Sequence, residues 1–272
     1  MAGITNIALD YLFIACWGWG ITGAALATGC GSGFAMLMGL LYFSLNRSSE
    51  IRLVRPIFCL RDLWISCSNG SSEMVTSLAS SLITFLFNYN VLRYLGEDGV
   101  AAISIAMYFQ FLFTGIYYGF AEGVSPLVSY QFGRRNTVKL KQALRSSFKI
   151  LASLGVLSFS ISIALLGVLL PLFVSPSLAT YDITLKGFPL FAIVFLYMWF
   201  SVFVSAFFTA LNNGVVSARI AIGRNAILAL VILGLPYLLG VNGLWLSLPV
   251  AELLSCLLAY YYLRQKSSTY GY

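Results

Sequence analysis

Lysine and arginine fall almost entirely in every second gap between eight long apolar runs, and this alternation constrains the fold more than any other feature of the sequence. The runs lie at about residues 3–17, 23–43, 66–92, 99–121, 146–174, 187–211, 220–240 and 243–263. Most approach or exceed the ~20 residues a helix needs to cross a hydrocarbon core of about 30 Å. Of the 16 basic residues, all but Arg93 and Lys186 lie after the second, fourth and sixth runs or in the tail, with Arg219 and Arg224 assigned to the sixth gap. Short loops rich in Lys and Arg are retained in the cytoplasm. The expected product is an all-α, multi-pass protein of the inner (plasma) membrane with eight transmembrane segments and a cytoplasmic C-terminus.

Composition narrows the function classes. With 60% hydrophobic and 9% charged residues among 272, the chain has too few charges to cover a water-soluble surface. Its formal charge of +7 resides in short loops and not on one amphipathic face, so no nucleic-acid partner is expected; the lipid bilayer is the expected surroundings. The absence of histidine removes His-based zinc sites and Ser-His-Asp triads. Five cysteines without CxxC pairing read as buried free thiols. No metal site and no converging catalytic nucleophiles are found, so an enzyme is not expected.

The chain also suggests an internal division. No Lys or Arg precedes Arg47 and Asp10 interrupts the first run, which argues against a signal peptide. That run of about fifteen residues reaches only ~22 Å, so the first span is expected to be incomplete. The polar, arginine-rich stretch from Ser44 to Asp62 is the best linker candidate. The expected domains are 1–43, a cytoplasmic linker 44–65, a six-helix bundle 66–266 and a tail 267–272. Similar short turns at Gly20-Ile-Thr-Gly23 and Gly240-Val-Asn-Gly243 hint at two bundles built on one plan.

Acidic residues inside apolar runs are costly, about 2.5–3.5 kcal/mol near the bilayer centre, and need a partner, a cavity or a function. Asp10 stands one helical turn after Asn6, so the two share a face that could hold a proton or a sodium ion, or form an interhelical hydrogen bond. Glu73 is the one charge in a polar stripe that includes Thr84 and Asn88, a face suited to cation or substrate contact or to lining water. Glu252, three residues after Pro249, suits pairing with a neighbouring helix as well as it suits transport. Glu122 is expected to pair with Arg134 or Arg135. Gly115, Gly119 and Gly123, four residues apart, read as a packing seam. Tyr108 and Tyr197 lie deep enough in their helices to face a cavity. Arginine is expected to be absent from the helix centres.

Several stretches resemble one known family. NIALDYLFI followed by GITGAALAT is similar to the fifth and sixth helices of multidrug and toxic-compound extrusion (MATE) transporters, and GFAEGVSPLVSYQFGRRN resembles the motif after their eighth. NGSSEMVTSLASS and LPVAELL fit the same family. The resemblance implies a partial two-lobe bundle of helices five to twelve, lacking the first four, which would be a partner if supplied separately. It further implies a secondary antiporter that exports cationic or amphipathic xenobiotics in exchange for Na+ or H+ by alternating access, with no cofactor beyond that ion. Asn6, Asp10 and Thr28 match members of the family's amino-terminal cation network. Glu73 is on the helix that carries a coupling glutamate in some branches, though nearer its start. The alternatives are a lipid-linked oligosaccharide flippase of related architecture and a nonfunctional fragment of a transporter.

Overall fold

The computed structural model describes residues 2–45 and 59–272, and within them the side chains of all but 2, 62, 64–77, 79, 80 and 172. Its described elements are all helical: α1 (Ala2–Asp10) continuing as a π-helix (Tyr11–Cys16), α2 (Gly20–Leu45), α3 (Leu60–Gly133), α4 (Thr137–Phe173), α5 (Ala179–Ala192), a 3-10 turn (Ile193–Leu196), α6 (Met198–Ala210) and α7 (Gly214–Tyr270). Among the described residues five helical segments are long and apolar enough to cross a membrane, and a shorter apolar one spans Gly3–Cys16. The chain divides into two compact units, Met1–Ile65 and Ser66–Tyr272.

In the first unit, α1 and α2 pack through small residues. Gly23, Ala27 and Gly31 are the buried positions of α2. A side chain at Gly23 would meet Cβ of Phe13 at 3.0 Å, so the two backbones approach as small residues permit in lipid. Phe13 stacks on both Trp17 and Trp19 at 5.3 Å between centroids, which fixes the turn joining the helices. The π-helix widens the backbone immediately after Asp10, a distortion frequent at functional sites.

The second unit is built on two helical hairpins hidden within α3 and α7. Residues Ile83 and Met107 line one cavity although a straight helix would hold them about 36 Å apart. The chain therefore reverses at Gly96, where φ of 68° and ψ of −162° suit only a residue without Cβ. Gly240 (φ 58°, ψ −133°) does the same in α7, bringing Arg224 and Glu252 into contact across a separation of 28 residues. Between these hairpins runs residues 179–210, 61% buried in its most apolar window against 33%, 28% and 22% for its neighbours in this unit. Aromatic pairs bind it to the second arm of α3: Phe109 to Phe188 at 5.1 Å and Phe113 to Phe195 at 4.8 Å. The buried Tyr117 hydroxyl donates to the carbonyl of Phe195 at 3.1 Å.

Three expectations change. Phe109, Phe113, Tyr117 and Ala121 form the buried face of that α3 arm, every fourth residue. Gly115, Gly119 and Gly123 are offset from it by two residues, about 200° around a helix, and no atom lies within 4 Å of a Cβ built on any of them. They are not a seam within this unit, because their own spacing puts them opposite the side that packs. Second, α4 starts at Thr137, capped by the Asn136 side chain accepting from the Lys139 amide at 3.0 Å, well before the expected residue 146. Third, α7 starts at Gly214, which places Arg219 and Arg224 inside the helix and not in a loop. Of the expected linker 44–65, residues 46–58 lie outside the described residues; Ser44 and Leu45 end α2, and α3 is under way from Leu60.

Gly187 and Gly119 make opposite predictions about packing. Any Cβ at Gly187 would run into the indole of buried Trp245, whereas one at Gly119 meets nothing. Gly187→Ala should lower the thermal unfolding midpoint of the detergent-purified protein, with an overpacking cost of about 1–3 kcal/mol. Gly119→Ala should leave it unchanged or slightly higher, since alanine favours the helix by up to ~1 kcal/mol.

Candidate functional site

The two hairpins, with Phe191 of the central segment, line a partly open cavity of about 190 Å³ within the second unit. Its polar lining comes from Thr84 and Gln110 on the arms of α3 and from Arg224, Asn225 and Glu252 on the arms of α7; Phe87, Met107, Phe191, Leu228 and Leu248 supply apolar walls. Thr84 and Gln110 stand about 18 and 21 Å of helix rise from the turn at Gly96. Glu252 and Arg224 stand about 18 and 24 Å from the turn at Gly240. The residues therefore converge at similar depth, inside the helices and away from their connecting turns.

A charged pair forms the polar end of the cavity. Arg224 donates from Nε to Oε1 of Glu252 at 2.7 Å, and its Nη2 lies 2.6 Å from the same oxygen. The hydroxyl of Ser201 sits 3.1 Å from the other oxygen, Oε2, and 3.2 Å from the Met198 carbonyl, so its single proton has two acceptors in reach. The partners differ in access: the Glu252 side chain is 2% exposed and that of Arg224 is 21% exposed. Glu252 is thus sealed, with both oxygens in hydrogen-bond reach of a donor, while the Arg224 side chain retains surface and lines the cavity. Tyr118 lies beside that guanidinium. Burying such a pair costs several kcal/mol of desolvation per ion, which makes it weak evidence for stability and good evidence for a role.

The first unit holds a separate polar cluster. With its amide oriented to satisfy both neighbours, Asn6 donates to Oδ2 of Asp10 at 3.2 Å and accepts from the Thr28 amide at 3.2 Å. The Thr28 hydroxyl donates to the Ala24 carbonyl at 3.0 Å. The structure therefore places Asn6, Asp10 and Thr28 together, across α1 and α2, next to the π-helix.

The remaining sequence candidates scatter. The side chain of Glu73 lies outside the described residues. Asn88 borders a shallower depression with Phe85, Tyr89, Leu92, Glu97 and Val100. Tyr108 is 66% exposed and does not line the cavity. Tyr197 is also off its lining, since its hydroxyl donates to the Pro249 carbonyl at 2.7 Å while its own carbonyl accepts from the Cys256 thiol at 3.3 Å. Glu122 forms no ion pair among the described residues, and Arg134 turns instead to the Tyr130 hydroxyl at 3.3 Å. Arg224, Gln110, Asn225 and Ser201 were not singled out by sequence. The available signal was the turn at Gly240, which puts Arg224 and Glu252 at matching depth once the two runs are folded back.

Removing one member of the pair should be far more damaging than removing both. Arg224→Met alone leaves a buried, uncompensated carboxylate and should cost about 3–5 kcal/mol in thermal unfolding, whereas Arg224→Met with Glu252→Leu should recover most of that loss.

Comparison with known proteins places this architecture. The model of the MatE family matches residues 73–234, more than half of the chain. An outward-facing multidrug resistance MATE family transporter of the MOP superfamily superposes with a TM-score of 0.85 at 21% identity, over 99% of this chain and 61% of that one. A MOP superfamily transporter from Pyrococcus furiosus, whose binding pocket of reverse polarity suggests a different function, gives 0.86 at 20% identity over 100% and 62%. A MATE protein in its straight conformation gives 0.84 at 20% identity over 99% and 61%. The chain thus spans about 61% of the length of the solved structures it resembles. No curated protein sequence matches it. The family's model covers more than half of this helical bundle, and the chain belongs to the MatE family.

Proposed function

We propose that this chain works as part of a secondary active multidrug antiporter, exporting cationic or amphipathic small molecules in exchange for Na+ or H+ by alternating access. The observation that supports this reading is the Asn6–Asp10–Thr28 cluster, where a carboxylate within an apolar helix is held by an amide that also ties α1 to α2. Loading Asp10 with a proton or a sodium ion changes its charge and its demand on Asn6. A local charge change that alters how two helices pack is a means of biasing an equilibrium between outward-open and inward-open states. The π-helix beside Asp10 supplies backbone that can rewind at small cost.

In this reading residues 66–266 act as the carboxy-terminal lobe, residues 1–43 as the end of the amino-terminal lobe and 44–65 as the linker on the cytoplasmic side of the plasma membrane, with the tail also cytoplasmic. The first four helices of the family would complete the amino-terminal lobe as a partner. Neither Tyr108 nor Tyr197, to which the sequence had given apolar contact with the cargo, lines the cavity of the second unit. The flippase alternative gains no support, because the cavity of the second unit has a single arginine in its lining and Glu252 neutralises it.

Membrane vesicles containing the protein should drive ethidium movement when a Na+ or H+ gradient is imposed. Asp10→Asn should reduce that movement at least tenfold at equal protein level. Undiminished transport by the variant would remove Asp10 from the coupling step, and absence of transport by the wild type would favour a nonfunctional fragment.

A further inference from the structure

The cavity of the second unit offers chemistry opposite to that of a cation site. Glu252 is enclosed, one oxygen held by Arg224 and the other within reach of Ser201. Of the two charged side chains, that of Arg224 keeps accessible surface; its guanidinium has five donor hydrogens, of which Nε and Nη2 are directed at Glu252 and one is within reach of Tyr118. Beside it, Gln110 and Asn225 bring amides that can donate and Thr84 a hydroxyl, and the rest of the lining is apolar. A ligand that matches has an acceptor-rich anionic head on an apolar body.

Charge balance then sets a condition. The pair is neutral, so an anion entering alone would leave a net negative charge in a low-dielectric cavity, an unfavourable arrangement. A proton on Glu252 removes this difficulty: the carboxylic acid no longer competes for the guanidinium, and Arg224 meets the incoming anion one to one. Ser201 is placed to accommodate both states. It donates to Oε2 when Glu252 is ionised, and it can turn its proton to the Met198 carbonyl and accept from Glu252 when the acid is neutral. The other titratable groups facing this pair are Tyr197 and Cys256 near Glu252 and Tyr118 near Arg224.

We propose that this cavity is a binding site for an amphipathic organic anion, a sulfonate, carboxylate or phosphate monoester on an apolar body, held by Arg224 and taken up together with one proton on Glu252. The proposal rests on the transporter reading only for its physiological purpose, since binding is measurable without a gradient. It assigns the second unit a ligand of opposite charge to the cationic cargo proposed above, and a proton site distinct from Asp10.

Benzenesulfonate is the suitable probe, because it stays ionised throughout the working range and any pH dependence must come from the protein. Its binding to the full chain in lipid nanodiscs, followed by calorimetry, should weaken as pH rises, with a limiting slope of about tenfold per pH unit, the slope for uptake of one proton. Glu252→Gln, which keeps the shape and the Ser201 contact, should bind tightly with no such slope. Arg224→Gln should abolish binding while the Glu252→Gln, Arg224→Gln double variant, free of any unpaired charge, confirms that the loss is not unfolding. Benzylammonium, the same ring with a positive head, should not compete. Binding of benzylammonium in preference to benzenesulfonate, a flat pH profile in the wild type, or full binding by the double variant would overturn the proposal. Loss of sulfonate binding with ethidium transport intact would sink this inference alone; sulfonate binding without dye transport would sink the antiporter reading alone.

Discussion

A charge inside a bilayer must be matched by another charge, by hydrogen bonds or by water, and the second unit of this protein is arranged around one such match. Arg224 and Glu252 are separated by 28 residues of α7, yet their side chains touch. Satisfying them requires α7 to fold back on itself, and that reversal requires a residue that tolerates a positive φ at Gly240. A parallel constraint acts on α3 through Gly96. The cavity follows from these two reversals, because four helix arms meet around polar side chains that cannot pack as tightly as the phenylalanines on the central 179–210 segment.

The aromatic packing and the polar cavity divide the labour. Phe109, Phe113, Phe188 and Phe195 interdigitate along the buried face of α3 and hold the unit together without any directional charge. A buried ion pair of this kind generally adds little net stability once desolvation is counted. One partner is sealed and one is accessible, so the pair has an inner and an outer member. Protonation of the inner one changes the charge offered by the outer. In the first unit, Asp10 has a neutral partner, Asn6, which is tied in turn to Thr28, so its chemistry is that of a carboxylate held by a neutral amide.

Much of this was legible in the sequence, and the failures have physical causes. The apolar runs and the alternation of Lys and Arg located the helices, since both follow from the cost of placing polar groups in lipid. Asn6 and Asp10 were grouped correctly because one helical turn separates them, a local relation that spacing encodes. Arg224 was misplaced for the converse reason: its partner is distant in sequence, so a basic residue near the end of an apolar run looked like a loop residue. The glycines at 115, 119 and 123 illustrate a different limit. Their spacing specifies that they share a face, but only the positions of Phe109, Phe113 and Tyr117 decide that this face is turned away from the unit's core.

The central claim is that Glu252 is an ionised carboxylate held by Arg224 within the membrane-spanning part of the second unit. Isotope-edited infrared spectroscopy reads this directly: difference spectra between wild type and Glu252→Gln, in protein carrying labelled glutamate, isolate the bands of that single side chain. At neutral pH and without added ligand, the account predicts the paired stretches of a carboxylate, shifted in Arg224→Gln. A single band of a protonated carboxylic acid in the wild type would contradict it.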